Sequence, residues 1–295
     1  MLSYYNKIDL QNNCILSCDM LRLSFRLSDE DAKKFNKYIN QSTLMDFSVD
    51  VKIFSNLQLY KFRNLITISK RLDSGATISF CMGIGFNGST KDKQTCFIEF
   101  NPNKTYDLVW PYLEFIKSNS YGLTFVRCDM AIDIPIHKNM ITISKDSRKL
   151  SRIYRYDLHS KDLNNATEYL GCRSNNGFVK LYNKQIESNL TYPLTRLEIT
   201  LDNLEYKNFQ QCMPSVHYLK NFNLCDLAML NDTDRVIMLL LLESDKPFEM
   251  INMLGRGKQA KFKELISKNE TELFNITFSI YMQFVLNIKN IIDDW

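Results

Sequence analysis

The sequence predicts an α+β fold: a mixed, mainly antiparallel sheet with flanking helices, followed by a helical C-terminal region. Three observations predict it. Apolar and polar residues alternate, with the period of a half-buried strand, in several stretches between residues 18 and 202. Gly75, Gly83, Gly85 and Gly88 interrupt those stretches as turn residues do. After about residue 205 the glycines and the alternation fade and helical spacings take over.

In chain order, residues 18–27 set Met20, Arg22, Ser24 and Arg26 against Leu21, Leu23, Phe25 and Leu27, a strand with one apolar face. Ser28 reads as the N-cap of a short helix over about 29–39. Strands are expected near 49–54, 65–69, 77–81 and 95–100. Residues 107–117 form an amphipathic pattern through Val109, Tyr112, Leu113 and Ile116. A strand over 124–134 ends at Pro135, a basic loop over 145–155 follows, and three more strands are expected near 168–172, 178–184 and 195–202. Helices are expected near 233–243, 248–254, 259–268 and 272–292. The order of an Asp-bearing strand, a helix or loop, then Gly-containing strands occurs in 18–101 and returns in 124–202. That echo points to an internally duplicated sheet domain over residues 1–205, with halves of about 15–120 and 121–205, before a helical region over 206–295.

Bulk composition narrows the class. A chain of 295 residues, 45% hydrophobic and 24% charged, can build a real core. Its 37 Lys and Arg against 33 Asp and Glu leave a net charge of +4, which neither requires nor excludes nucleic acid. Of the eight cysteines only Cys14 and Cys18 are close in sequence, so neither a zinc set nor a disulfide scaffold is indicated, and they read as small buried residues. The longest apolar run, 236–242, is far too short to span a bilayer and reads as core in preference to a subunit interface. With no signal-peptide pattern, a cytoplasmic and bacterial setting is expected, in keeping with the abundance of Asn, Lys and Ile.

Chemistry concentrates where strand parity puts it. Arg127, Asp129, Ala131 and Asp133 share one face of their strand, opposite Cys128, Met130, Ile132 and Ile134. Lys180, Tyr182 and Lys184 share a face, as do Arg196, Glu198 and Thr200. Any one such strand is well explained as a solvated face of an antiparallel sheet. If the three faces coincide, they assemble carboxylates suited to Mg²⁺ or Mn²⁺, cations suited to phosphate, and a tyrosine able to act as nucleophile. A metal-dependent phosphoryl-transfer site is then the competing reading.

The stretch Tyr169-Leu-Gly-Cys-Arg-Ser-Asn-Asn-Gly-Phe-Val-Lys-Leu-Tyr182-Asn-Lys-Gln-Ile-Glu187 resembles the signature of the Rep_trans family: an aromatic-x-Gly-x-Arg-x-Ser segment, an apolar strand ending in Tyr-Asn-Lys, then Glu. These proteins initiate staphylococcal-type rolling-circle plasmid replication, and some relaxases of conjugative elements are related. Arg127-x-Asp129-x-Ala131-Ile132-Asp133 resembles the family's acidic strand, and Arg196-Leu197-Glu198 its Arg-x-Glu strand. The likeness is specific over 121–202, looser over 232–270, and slight before residue 120.

The resemblance implies a DNA nicking-joining enzyme. Tyr182 would attack a phosphodiester and retain the 5′ phosphate, leaving a 3′ hydroxyl as primer. Lys184 and Arg173 would assist it, and Asp129, Asp133 and Glu198 would hold Mg²⁺ or Mn²⁺. Lys180, Arg196 and Arg127 would lie along the DNA. Plasmid origin DNA, both duplex and single-stranded, a host helicase and a second copy of the chain would be partners. No His-hydrophobe-His metal pair is present; His137, His159 and His217 are isolated, in keeping with a family that relies on carboxylates. Tyr169, Tyr154 and Tyr156 are rival nucleophiles. Arg152 and Arg155, in the basic loop, read equally as DNA contacts or as solvated charge. Lys258, Lys261 and Lys263 resemble a duplex-contacting basic helix. A conjugative relaxase, and a non-catalytic DNA-binding regulator of copy number, are the alternatives.

Overall fold

The computed structural model describes residues 7–41, 48–53, 62–86, 94–143, 153–155, 167–173, 175–219, 224–268 and 273–293. The first half of the chain carries β1 (Lys7–Asp9), β2 (Ile15–Leu27), α1 (Asp29–Gln41), β3 (Ser48–Ile53), β4 (Phe62–Arg71), β5 (Thr77–Phe86), β6 (Gln94–Phe100) and α2 (Tyr106–Asn119). The second carries β7 (Tyr121–Ile134), β8 (Ile141–Ile143), β9 (Ile153–Arg155), β10 (Thr167–Leu170), β11 (Val179–Asn183), α3 (Lys184–Glu187), β12 (Thr195–Leu201) and α4 (Tyr206–Cys212). Then come β13 (Val216–Tyr218), α5 (Asp232–Glu243), α6 (Pro247–Met253), α7 (Arg256–Lys268) and α8 (Phe278–Asp293).

An 11-stranded sheet takes the order β3-β4-β5-β6-β2-β7-β12-β11-β10-β9, with β1 pairing β2 off this path, and β13 and β8 form a separate pair. The mainly antiparallel sheet expected from the sequence is present, and every pairing among the described residues is antiparallel. From the centre outward one side reads β2-β6-β5-β4-β3 and the other β7-β12-β11-β10-β9, so both follow one wiring. Strands β2 and β7 meet antiparallel with Met20 opposite Asp129, which puts an approximate two-fold axis through that pair. The tripeptide Cys-Asp-Met occurs on both sides of it, at 18–20 and 128–130. A register shift between Cys18 and Met20 makes Asp19 an extra residue, a bulge that turns its side chain toward the polar face.

Period-2 patterning sets the two faces of the sheet. Leu21, Leu23, Phe25 and Leu27 are buried on β2, as are Cys128, Met130, Ile132 and Ile134 on β7 and Leu197, Ile199 and Leu201 on β12. The helices close that apolar face. Ser28 Oγ accepts from the Asp31 backbone N–H at 3.0 Å and donates to the Asp31 carboxylate at 2.6 Å, so α1 starts where the cap dictates. Val109, Tyr112, Leu113 and Ile116 of α2 are buried, and the Phe35 ring of α1 stacks on Phe115 at 5.0 Å. On the other half, Phe209 of α4 stacks on Tyr281 of α8 at 4.4 Å.

The apolar cores divide at a different place from the expected boundary at residue 205. Helices α4 and α8 share the sheet's core through Phe209, Tyr281, Phe284 and Ile288. A second core holds Leu219, Leu227, Leu230, Met238, Leu241, Ile251, Phe262 and Ile266. The helical unit therefore spans residues 219–266, and the chain then returns to the sheet. Spacings of three and four residues put Tyr281, Phe284, Val285 and Ile288 on one stripe of α8, and that stripe is buried in the sheet's core. The run 236–242, read as core, is so only in part: Met238 and Leu241 are buried while Val236, Leu239 and Leu240 are exposed. Among the described residues no helix is long and apolar enough to cross a membrane.

Gly177 precedes β11 at φ +78°, and its backbone N–H donates to the Thr200 carbonyl at 2.7 Å. A Cβ there would lie 2.6 Å from Cys212 Sγ. Gly177→Ala is expected to cost about 1–3 kcal/mol through strain at positive φ, read as a lower urea midpoint with unchanged slope.

Candidate active site

Polar side chains of β7, β11 and β12 meet on the sheet's open face, as parity requires. Strand β11 runs between β10 and β12, with Lys180 opposite Glu198 and Tyr182 opposite Arg196. Strand β12 in turn sets Glu198 opposite Ala131, Arg196 opposite Asp133, and Thr200 opposite Asp129. Since Ala131 carries only a methyl group, the buried Glu198 carboxylate has room to turn toward β11. There the Tyr182 hydroxyl donates to Glu198 Oε1 at 2.5 Å, while the Lys180 ammonium binds Oε2.

Burial raises the Tyr182 phenol well above its ordinary range, and the charge and hydrogen bond of Glu198 add to this against a smaller opposing effect of Arg196. In this arrangement Tyr182 is a protonated phenol whose proton points at a carboxylate. Burial pulls the Lys180 pKa down, but Glu198, Asp129 and Asp19 outweigh it, so the amine stays charged.

Asp133 does not join Asp129 and Glu198 as a ligand set. Arg196 takes both its oxygens, Nε to Oδ1 at 2.6 Å and Nη2 to Oδ2 at 2.8 Å. Nη1 of the same guanidinium binds Asp19. Among the described residues no three His, Cys, Asp or Glu side chains stand together in reach of one metal ion. For Asp133 the rise of the strand is the reason: it lies four residues from Asp129 on β7, roughly 13 Å away, so one site cannot use both. Arg196, expected along the DNA, is instead neutralised by two carboxylates and largely buried.

Asp19, and not Asp133, reaches the cleft beside Asp129 and Glu198. It lines that cleft of about 520 Å³ with Asp129, Lys180, Tyr182, Glu187, Glu198 and the rival tyrosine Tyr169. Asn101 Nδ2 also donates to it at 3.1 Å. A second cleft adjoins the first through Met20, Asp129 and Lys180, and is lined by Arg22, Glu99, Arg127 and Arg173. Sequence reasoning missed Asp19 and Arg22 because both lie in the half with little likeness to the family. The repeated Cys-Asp-Met would have pointed to Asp19.

The other expected residues fall as follows. Thr200 Oγ1 donates to Asp129 at 2.6 Å and accepts from Arg127 at 3.2 Å; Arg127 also donates to the Arg173 carbonyl at 3.1 Å. Lys184 is buried at the start of α3, paired with Glu187 and 5.7 Å from the Tyr182 ring centre, away from the strand face expected for it. Lys258 and Lys261 both bind Asp234, at 3.3 and 2.6 Å, and Lys263 binds Asn252 at 3.0 Å, so these lysines also serve the helical unit's own packing. Arg152, Tyr156 and most of the basic loop lie outside the described residues; Arg155 ends β9.

Against known proteins, no family model matches the chain. A Staphylococcus aureus replication initiation protein is 24% identical over 98% of this chain and 88% of its own length. The similarity is to staphylococcal replication initiators. A second such protein from the same organism is 24% identical over 95% of this chain and 84% of its own. A solved rolling-circle replication initiator from Geobacillus stearothermophilus shares 13% identity at a TM-score of 0.38, covering 85% of this chain and 96% of that one.

Removing a partner from a buried ion pair costs more than removing an exposed one. Arg196→Met strands Asp133 and Asp19 and is expected to cost about 3–5 kcal/mol in urea unfolding. Lys180→Met takes the cation from the buried Glu198, which keeps the Tyr182 hydroxyl as a partner, and is expected to cost less, about 1–3 kcal/mol, by the same measurement.

Proposed function

We propose that this protein initiates rolling-circle plasmid replication by nicking one DNA strand with Tyr182. The observation that carries the reading is the hydrogen bond from the Tyr182 hydroxyl to Glu198 in a cleft whose neighbour is rich in arginine. Tyr169 lines the same cleft, but Tyr182 is the tyrosine whose proton is directed at a carboxylate. Kinship with staphylococcal replication initiation proteins over nearly the whole chain supports the biological setting.

In this mechanism Glu198 receives the phenolic proton as the Tyr182 oxygen attacks phosphorus. The bond from phosphorus to the 3′ oxygen breaks, and that oxygen leaves as a hydroxyl after taking a proton from water. The 5′ phosphate stays on Tyr182 as a phosphodiester. Lys180 stands beside the reacting carboxylate and offers positive charge to a non-bridging phosphate oxygen. Arg196 touches no reacting atom; its grip on Asp133 and Asp19 fixes β12 against β7 and β2 and thereby positions Glu198.

Asp19, Asp129 and Glu198 offer the hard oxygen donors that Mg²⁺ or Mn²⁺ takes, but as placed they do not stand within reach of one ion and their charge is directed at the Lys180 ammonium, so the resting arrangement does not fit a resident metal. With Lys180 removed, these carboxylates would be the residues to attract one. Lys180→Met is expected to bind Mn²⁺ several-fold more tightly by electron paramagnetic resonance, and Asp129→Asn more weakly; unchanged affinity in both would remove these residues from the ligand set.

With supercoiled plasmid carrying the cognate origin, the unchanged protein is expected to nick and to leave a protein–DNA adduct. Tyr182→Phe is expected to do neither, and Glu198→Gln to nick at least about 100-fold more slowly. Equal nicking by Tyr182→Phe would move the nucleophile elsewhere. Origin binding without nicking by the unchanged protein would make it a DNA-binding regulator.

A further inference from the structure

The near two-fold axis gives each position of the nicking face a counterpart in the first half. On β6 and β5, Glu99 stands opposite Cys81 and Phe97 opposite Gly83. On β12 and β11, Glu198 stands opposite Lys180 and Arg196 opposite Tyr182. With Glu99 matched to Glu198, Gly83 holds the place of Tyr182 and Phe97 that of Arg196. Across the next strand, Arg22 faces Glu99 where Ala131 faces Glu198. The same matching sets Met20 against Asp129, the pair through which the axis passes.

The first half thus has Gly83 where the second has Tyr182, and Arg22 where the second has Ala131. A Cβ on Gly83 would fall 2.1 Å from the Phe97 ring, so that ring has taken the room a side chain would need. The same ring lies 4.8 Å beneath the Arg22 guanidinium. Glu99 holds the guanidinium from one edge, through Nε at 2.6 Å and through Nη2. Its Nη1 has no bond among the described residues, and the side chain remains 39% exposed. Arg127 and Arg173 enter the same cleft and pair with no carboxylate among the described residues. The cleft's wall holds Arg22, Arg127, Arg173 and Lys180 against Glu99 and Asp129, an excess of positive charge.

We propose that Arg22, with Arg127 and Arg173, binds a backbone phosphate of the single strand next to the scissile one. This rests on the nicking reading and deepens it: the half without a nucleophile serves as the strand's holding site. The two clefts share Met20, Asp129 and Lys180, so a strand lying over Tyr182 continues directly into the arginine cleft. A fixed, edge-on guanidinium suits a phosphodiester, whose two free oxygens can take paired N–H donors.

The test uses the full chain with Tyr182→Phe, which holds the strand without cutting it, and a short fluorescein-labelled single strand of mixed sequence. Fluorescence anisotropy is read across a salt series. Arg22→Gln is expected to weaken binding about tenfold at moderate salt and to flatten the salt slope by about 0.7, the value of one lost phosphate contact on a single strand. Arg22→Lys, which keeps the charge, is expected to restore the slope. Because Arg22→Gln leaves Glu99 unpaired, the double variant Arg22→Gln/Glu99→Gln is measured beside it and is expected to show the same loss of slope with parental thermal stability. Binding and slope unchanged in both variants would overturn the proposal. Weaker binding with a parental slope would also overturn it, since that marks a purely structural role. No strand binding by the Tyr182→Phe parent itself would overturn the nicking reading, and this inference with it.

Discussion

The guanidinium of Arg196 ties three strands together under the site. It reaches from β12 to Asp133 on β7 and to Asp19 on β2, so it joins the two halves of the sheet at their seam. A guanidinium can do this because its donors point along two edges at fixed angles, whereas a lysine's compact ammonium lacks the paired donors that take both oxygens of Asp133. Three charges taken from water in such a place are stable only together. Glu198 lies two residues along β12 from this knot, and the direction of its carboxylate, hence of the Tyr182 proton, inherits the knot's rigidity.

The electrostatics of Tyr182 follow from the same economy of charge. Its phenol is buried beside a carboxylate, and both facts hold the proton on. A free phenolate in that cleft would be costly and reactive toward any electrophile. The resting arrangement keeps the Tyr182 hydroxyl capped, and any group that draws charge away from Glu198 changes the balance. Lys180 serves as an internal counter-ion until then, which explains a lysine among three carboxylates in a cleft reaching solvent.

The sequence made the strand faces legible because side-chain alternation is a local property. Parity alone put Lys180 with Tyr182, Arg196 with Glu198, and Asp129 with Asp133 on shared strand faces, while whether those faces coincide waited on the strand pairing; Ser28 declared its helix. What parity cannot give is the partner across a gap. Asp133 and Asp129 looked equivalent on one strand, yet Arg196 stands opposite the first and Thr200 opposite the second. Asp19 escaped because a bulge breaks the alternation that would have revealed its facing. Arg22 escaped because it lies more than a hundred residues before the motif strands and meets them only through the β2–β7 pairing. The return of α8 to the sheet escaped because a helical period says that a helix has an apolar stripe, not which surface the stripe will cover.

That return has a consequence for how the protein comes into being. Helix α8 packs on β2 and β7, the two central strands, and the Leu273 carbonyl just before it accepts from Asn12 at 2.8 Å. As the chain emerges from the ribosome, the middle of the sheet waits with an uncovered apolar face while more than a hundred further residues are made. The interval favours misassembly, and it also sets an order: a seam backed by a helix so far along the chain cannot be closed until that helix has been made.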